Sequence, residues 1–183
     1  MSLIGICGVA RSGKDTLFLS LENSEPSFKW KRLAFADELK MECEEFLLKH
    51  TGISPFTQVN EEKELIRPFL VAYGTHLRRK INPDCWIDVV KPKLKKNKAE
   101  GLIPVLTDVR FPNELNWIRE EGGKVIHISR TGVNPANKEE AENDPILRSM
   151  ADIRVSWPTF KGDYLRQCKK IAKDTIKELK ISS

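Results

Sequence analysis

The chain has 183 residues, of which 40% are hydrophobic and 31% are charged, and its formal net charge at pH 7 is +5. This length predicts one domain with a core of its own and excludes a small scaffold that depends on disulfides or a structural metal. The basic balance favours polyanionic partners, but it does not distinguish nucleic acids from small phosphates.

The first half of the chain alternates between strand and helix patterns. An apolar run from Leu3 to Val9 predicts a buried strand, and the run from Lys14 to about Glu22 predicts the helix that follows it. The segment WKRLAFA predicts a second strand, and ADELKMECEEFLLKHTG predicts a helix that ends at Gly52. Two further helices are expected from EEKELIRPFLVAYGTHLRRKI and CWIDVVKPKLKKNKAEG, the second interrupted or begun near Pro92.

The second half predicts three more strands, LIPVLTDV, KVIHIS and DIRVS, with a helix over NELNWIREEGG and an amphipathic helix from about Asp163. Residues from Thr131 to about Met150 are polar and contain Pro135 and Pro145, so we expect a long loop there, a candidate lid. This alternation predicts a three-layer α/β fold with a mostly parallel, five-stranded sheet. We assign residues 1–36 and 101–183 to its core, about 37–100 to a helical insertion and about 131–150 to the lid.

Cysteine spacing and hydropathy bear on the compartment. The four scattered cysteines form no CxxC pair and have no histidines at metal-ligand spacing, so we expect buried, unreactive thiols rather than a zinc site or disulfides. The N-terminus runs directly into a motif, which leaves no room for a signal peptide, and no apolar run approaches the roughly 20 residues of a spanning helix. We therefore expect a cytoplasmic protein with no membrane partner.

Gly8, Gly13 and Lys14 satisfy the spacing GxxxxGK between the first predicted strand and the first predicted helix. In that context backbone N–H groups turn around a phosphate, the helix N-terminus adds positive potential, and the lysine reaches the β- and γ-phosphate oxygens. The alternative is a glycine-rich turn with a surface lysine. The strand-to-helix context favours a nucleotide phosphate loop.

Asp15 stands where such loops usually carry a serine or threonine that contacts Mg²⁺. A carboxylate also holds Mg²⁺ directly or through a water molecule, and Thr16 restores a hydroxyl one residue later. Asp108 ends the strand LIPVLTDV, at the edge of the sheet where a second carboxylate could organise the metal. Arg110 follows it and could bind a phosphate through two N–H groups.

The alternatives for these residues are structural. Asp108 and Arg110 could pair with each other or cap the next helix, for which Asn113 is also a plausible cap. The arginines of the insertion, Arg78 among them, could be ordinary surface residues. Arg130 and Arg148 flank the candidate lid, where their charge could act on a transferring phosphoryl group or could simply be solvated. Three histidines form no triad or metal spacing and are interpreted as structural: His50, His76 and His127.

Four motifs in the first two-thirds of the chain resemble the bacteriophage-type deoxynucleoside monophosphate kinases, relatives of adenylate kinase among the P-loop kinases. They are the loop GVARSGKDTL, FADELK (Phe35–Lys40), YGTHLRR (Tyr73–Arg79) and DVRFPNE (Asp108–Glu114). The resemblance implies a P-loop NTPase fold with a helical insertion that binds the nucleoside monophosphate. It also implies ATP and Mg²⁺ as cofactors.

The residues and the resemblance together predict four roles, and for Arg130 and Arg148 the prediction rests on their position around the candidate lid, where the resemblance fades. The ATP phosphates are bound by Gly8, Ala10, Arg11, Ser12, Gly13, Lys14, Asp15 and Thr16. The acceptor monophosphate is bound by Lys40, Arg67, Tyr73, Arg79, Trp86 and Arg110. The transferring phosphoryl group is stabilised by Lys14, Arg110, Arg130 and Arg148. The metal is held by Asp15 and Asp108.

The sequence therefore predicts a kinase that transfers the γ-phosphate of ATP to a deoxynucleoside monophosphate, with no stable nucleic-acid partner and with a homodimer left open. One alternative is a P-loop kinase of another small phosphorylated metabolite, which the loop alone would permit. The other is a nucleic-acid-stimulated NTPase or adaptor, suggested by the basic composition and by KPKLKKNK.

Overall fold

A computed structural model describes residues 3–158 and 162–180. The strands are β1 (Ile4–Cys7), β2 (Trp30–Leu33), β3 (Ile103–Val109), β4 (Lys124–Arg130) and β5 (Ile153–Trp157). The helices are α1 (Lys14–Ser24), α2 (Phe35–Thr51), α3 (Asn60–Val71), a π-helical segment (Ala72–Arg78), α4 (Arg79–Ile81), α5 (Cys85–Ala99), α6 (Pro112–Glu120), α7 (Lys138–Met150) and α8 (Tyr164–Leu179). They form two compact units, residues 1–33 with 94–183, called the α/β unit, and residues 34–93, called the helical unit.

The α/β unit contains one five-stranded sheet in the order β2-β3-β1-β4-β5, and every pair of neighbouring strands is parallel. This confirms the predicted α/β class. Because β1 is central and lies between β3 and β4, the segments that follow these three strands meet at the carboxyl edge of the sheet. Ligands of doubly wound sheets bind at such a switch in strand order.

Helices cover both faces of the sheet. Apolar side chains from all five strands pack with α1 and α8 on one face, and Leu17, Ile126 and Ala172 there are fully buried. On the opposite face Gly5 lies so close to α6 that a Cβ atom would come within 2.6 Å of Ile118 Cδ1. The packing gives the three layers that the alternation of elements predicts.

The helical unit buries fewer apolar side chains. One cluster joins Cys43, Leu47 and Ile66, with partly buried neighbours such as Tyr73 packed against them. Elsewhere in the unit, buried side chains include Phe35, Cys85, Trp86, Ile87 and Val90. Gly74 lies in the π-helical segment, where a Cβ atom would come within 2.8 Å of Leu39. A row of aromatic rings on α2, α3 and the π-helical segment includes Phe46 and Phe69, whose centroids lie 5.4 Å apart.

Three boundary predictions are wrong. The second strand ends at Leu33 and α2 begins at Phe35, and α5 continues through Pro92 without interruption. The expected loop over 131–150 is helical from Lys138 onward. Its polar composition suggested a loop, but Asn137 caps the helix and Leu147 is buried at 3% exposure, so packing and capping outweigh composition and Pro145.

The four cysteines, Cys7, Cys43, Cys85 and Cys168, are free and buried, as expected. Burial, with the charge of Asp144, raises the pKa of the Cys7 thiol to about 12, and burial raises that of Cys43 to about 11. Neither thiol is therefore a ready nucleophile at neutral pH. Within the part of the chain that the structure describes, no helix is long and apolar enough to cross a bilayer.

Candidate active site at the phosphate loop

Two glycines give the segment between β1 and α1 its shape. Gly8 has a φ of +136°, and a Cβ atom there would lie 2.2 Å from the Ile128 carbonyl oxygen. Gly13 has a φ of +101°, and a Cβ atom there would lie 2.5 Å from Trp157 Nε1. Any side chain at either position would be strained and would clash, so the spacing GxxxxG is required by the backbone itself.

Lys14 is the first residue of α1, and its ammonium group turns back over the loop. Its Nζ donates to the carbonyl oxygens of Gly8 at 2.7 Å and Val9 at 2.8 Å. Burial, together with the positive charge of Arg110, lowers the pKa of Lys14, while nearby carboxylates oppose that shift. The loop thus surrounds a partly desolvated cation, which strengthens its attraction for an anion.

Ser12 lies in the middle of this loop and is fully buried. Its hydroxyl has no hydrogen-bond partner among residues 3–158 and 162–180. A buried hydroxyl without a partner costs on the order of 1–3 kcal/mol. An oxygen-rich ligand such as a polyphosphate fits a loop that offers a lysine and a helix N-terminus.

The turn after β3 is fixed by Glu114, which is fully buried. Its Oε2 accepts the backbone N–H of Arg110 at 2.7 Å and of Phe111 at 3.1 Å. The helix α6 begins at Pro112, so Asn113 lies inside the helix and is not its cap. The glutamate of DVRFPNE therefore orients the backbone from which the Arg110 side chain extends.

A second buried carboxylate, Glu140 of α7, also contacts this region and is 8% exposed. Its Oε2 accepts the backbone N–H groups of Ala10 and Ala136, each at 3.0 Å. Its Oε1 lies 3.5 Å from Arg110 Nη1. Gly8, Val9, Arg110 and Glu140 line one cavity at this edge of the sheet. The phosphate loop, the end of β3 and α7 therefore form one site in which cations and backbone N–H groups converge.

A family model for deoxynucleotide monophosphate kinases matches residues 19–146 of the chain. A protein of Acanthamoeba polyphaga mimivirus, whose name assigns it provisionally to the same kinases, is 31% identical in an alignment that covers 85% of this chain and 86% of that protein. The chain belongs to the deoxynucleotide monophosphate kinase family. It is a kinase of nucleotide metabolism.

Solved structures of other kinases are more distant. A dephospho-CoA kinase from Campylobacter jejuni is 15% identical, with a TM-score of 0.49 and 96% of each chain covered. A sugar kinase from a Janibacter species is 10% identical, with the same TM-score, and covers 100% of this chain and 96% of its own. Likeness at this level carries no information about substrates.

The two predicted metal ligands of the kinase differ in their surroundings. The Asp15 side chain is 80% exposed, and its Oδ1 lies 3.9 Å from Arg32 Nε. Asp108 is partly buried at the end of β3, close enough for its charge to act on Lys14. No group of three or more potential ligand side chains surrounds a metal position in residues 3–158 and 162–180. Mg²⁺ in phosphoryl-transfer sites needs only one or two carboxylates besides the phosphates, and Asp108 fits that requirement better than Asp15 does.

Arg130 and Arg148, the predicted lid arginines of the kinase, are both exposed. Arg130 ends β4 and lines a small cavity with Gly13, Thr16 and Trp157, so the structure brings it together with the phosphate loop. Arg148 lies in the last turn of α7, and its carbonyl oxygen accepts a hydrogen bond from Arg154 Nε at 3.0 Å.

The predicted acceptor residues of the kinase other than Arg110 lie in the helical unit. Arg67 is exposed on α3, and Lys40 lies over the ring of Phe56 at 5.4 Å. Tyr73 donates its hydroxyl to Glu42 Oε1 at 3.0 Å. The Nη1 of Arg79 donates to the Pro83 carbonyl oxygen at 3.4 Å.

Trp86 does not lie at the surface of the helical unit. It is 3% exposed, and its Nε1 donates to the Gly74 carbonyl oxygen at 3.3 Å. This is the position of a core residue, not of a ring that presents a face to a nucleobase. Its assignment to substrate binding stays a prediction.

Sequence reasoning missed Glu140 because the residue lies in a segment expected to be an irregular loop. It did include Glu114 within DVRFPNE, but it did not predict that residue's role. His127, interpreted as structural, is buried on β4 with its Nε2 2.9 Å from Asp144 Oδ1. An Asn-x-x-Glu pattern at 137–140, a capping signature, was the available signal for the helix that carries both Glu140 and Asp144.

Proposed function

We propose that this chain is a deoxynucleoside monophosphate kinase, which transfers the γ-phosphate of ATP to a deoxynucleoside monophosphate and gives ADP and the diphosphate. The observation that carries the proposal is the pairing of a glycine-shaped loop around Lys14 with an arginine, Arg110, beside it. Family membership adds the substrate class.

In this proposal the residues from Gly8 to Thr16 bind the phosphates of ATP. Lys14 would exchange its bonds to the loop carbonyls for the β- and γ-phosphate oxygens. Phosphoryl transfer has a loose transition state, so the task of the protein is to align the reactants and to neutralise spreading charge. The acceptor phosphate is already an anion, so no general base is required.

Arg110 would bind the acceptor monophosphate, and the residues of the helical unit assigned to this substrate are Lys40, Arg67, Tyr73 and Arg79. Arg130, at the end of β4, and Arg148, in the last turn of α7, would act on the transferring phosphoryl group. Mg²⁺, held by Asp108 with help from Asp15, would neutralise charge on the phosphate oxygens. Each of these residues contributes position or charge rather than a covalent step.

The deciding experiment is an ADP-release assay with ATP and each ribo- and deoxynucleoside monophosphate in turn. We expect ADP formation that depends on a monophosphate and is faster with one or more of the deoxy forms. A chain that hydrolyses ATP only when DNA or RNA is added would refute the proposal. So would one that phosphorylates another metabolite but no nucleotide.

A further inference from the structure

The carboxylate of Glu140 joins three separate segments of the α/β unit. Oε2 accepts N–H groups from Ala10 in the phosphate loop and from Ala136 ahead of α7, and Oε1 faces the guanidinium of Arg110 after β3. Both oxygens of this buried side chain are therefore engaged, and the donors come from elements far apart in sequence. A solvated glutamate on the surface of a helix does not bridge backbone N–H groups and a guanidinium from separate segments.

The helix that carries Glu140 is itself fixed. Asn137 Oδ1 accepts the backbone N–H of Glu140 at 2.9 Å, which caps α7. Further along the helix, Asp144 is 2.9 Å from the buried His127, and Leu147 is 3% exposed. The position of the carboxylate is thus set by packing and capping rather than by its own rotamer alone.

Glu140 is also stable as an anion. Burial alone would raise its pKa, but the N–H groups of Ala136 and Ala10 and the charges of Arg110 and Lys14 outweigh burial, so the pKa lies below its ordinary value. A carboxylate that accepts backbone N–H bonds and faces two cations keeps its charge at neutral pH.

The contact leaves most of Arg110 available. A guanidinium has five N–H donors in a rigid plane, and Nη1 is the one that faces Glu140. The side chain is 45% exposed, so the remaining donors can reach an anion. Its backbone N–H is meanwhile held by Glu114 at 2.7 Å. Glu114 therefore fixes the backbone from which the side chain extends, and the ion pair with Glu140 favours the rotamers that keep the guanidinium beside the loop.

We propose that Glu140 is a positioning residue for phosphoryl transfer, which holds the Arg110 guanidinium beside the phosphate loop and fixes the Ala10 N–H before substrates bind. The kinetic consequence rests on the proposed function, because it requires Arg110 to contact the acceptor or the transferring group. The structural consequence, that the Arg110 side chain is restricted, does not depend on the proposed function.

The rate, rather than ATP binding, separates the proposal from a purely electrostatic role. A carboxylate beside a phosphate loop repels phosphates, so neutralising it should leave ATP binding unchanged or make it tighter. Loss of alignment lowers the rate instead, and misplacement by about 1 Å can cost on the order of a hundredfold. A merely structural role would weaken binding and rate together with stability.

The kinetic test compares Glu140→Gln with Glu120→Gln, a neutralised carboxylate on an exposed part of α6. For Glu140→Gln we expect kcat to fall roughly ten- to a hundredfold while the ATP Kd, measured by calorimetry, does not rise. The double variant Glu140→Gln/Arg110→Ala should be no slower than Arg110→Ala alone, within about threefold, since Glu140 acts through Arg110. Additive losses, or an unchanged kcat for a folded Glu140→Gln protein, would overturn the proposal.

The second test needs no substrate. In ¹⁵N NMR spectra of the full chain, Glu140→Gln should lower the order parameter of the Arg110 Nε–H group and shift the Ala10 amide, whereas Glu120→Gln should change neither. If Glu140→Gln does not fold, Glu140→Asp, which keeps the charge but shortens the reach, is measured instead. Should the wild-type protein phosphorylate no nucleotide, the proposed function fails and this measurement alone decides: unchanged Arg110 dynamics refute the positioning role, and increased mobility supports it.

Discussion

The α/β unit and the helical unit hold their charged side chains in different ways. Beside the phosphate loop, Glu114 and Glu140 are buried and each accepts two backbone N–H groups. In the helical unit the buried carboxylate of Glu38, 8% exposed, is held instead by a side chain, with Lys93 Nζ at 2.6 Å. Arg78 pairs there with Glu42 at 3.4 Å while both side chains are 35% exposed, and a partly exposed pair of this kind contributes about 0–1 kcal/mol. A buried carboxylate is more costly to disturb.

The two units also differ in how many apolar side chains they bury. Apolar side chains from all five strands pack with α1 and α8 in the α/β unit. In the helical unit one cluster joins Cys43, Leu47 and Ile66, and α5 buries further side chains such as Ile87 and Val90. Large apolar side chains remain exposed in the helical unit, among them Leu65 at 71% and Ile81 at 76%. The α/β unit is therefore built to hold groups in place, and the helical unit has less packing to do so. Substitutions in the two units should differ accordingly in what they change.

The largest effect is expected from Lys14→Met. The loop would lose the charge proposed to contact the β- and γ-phosphates, so we expect turnover to fall on the order of 10³-fold or more in a folded protein. Steady-state rates and circular dichroism would be measured together with those of Lys173→Met, an exposed lysine on α8. Near-wild-type turnover by folded Lys14→Met would contradict the assignment of the phosphate loop. The α/β unit would then no longer be the unit that holds the catalytic charges in place.

Arg110→Ala should act on the acceptor far more than on ATP. Loss of a charge-assisted contact costs about 1.5–3 kcal/mol, so the acceptor KM should rise roughly ten- to a hundredfold if binding equilibrates before chemistry. Steady-state kinetics with each substrate varied in turn would measure this. An elevated ATP KM with a normal acceptor KM would show that Arg110 serves the other substrate.

Asp108→Asn should raise the Mg²⁺ concentration that gives half the maximal rate by roughly tenfold, because a neutral amide is a weaker ligand than a carboxylate. Asp15→Ser, at an exposed position, should keep part of the activity, since a hydroxyl is the commoner group there. A magnesium titration of both variants would check this, and an unchanged curve for Asp108→Asn would count against a metal role.

Much of the fold could be predicted from periodicity and glycine spacing. Gly8, Gly13 and Lys14 signal their roles locally, because the turn they make depends on φ angles and on near neighbours. Periodicity and glycine spacing could not identify Glu140, since its partners Ala10 and Arg110 lie in the segments that follow β1 and β3 and its helix looked like a loop. The site residues of the helical unit rest on resemblance alone, because exposed arginines carry no local signal that separates a ligand contact from a solvated charge.

Substitution of Trp86 is expected to have the smallest effect on activity. It also tests an assignment that rests on resemblance alone, because Trp30 in the α/β unit provides a matched control. Both indoles are buried, and each donates to a backbone carbonyl, Trp86 to Gly74 at 3.3 Å and Trp30 to Glu25 at 3.0 Å. Replacing either by Phe removes one hydrogen bond and part of the packing. Each substitution should therefore lower the free energy of unfolding by about 1–3 kcal/mol.

If Trp86 is a core residue, as its burial indicates, Trp86→Phe and Trp30→Phe should both leave the acceptor KM within about twofold of wild type, because no contact with substrate is lost. Urea titrations followed by circular dichroism would measure stability, and steady-state kinetics the KM. A tenfold rise in acceptor KM for Trp86→Phe alone, with stability lowered no more than in Trp30→Phe, would mean that the helical unit rearranges to present this ring to the acceptor. The smaller core of that unit would then be the property that permits the rearrangement.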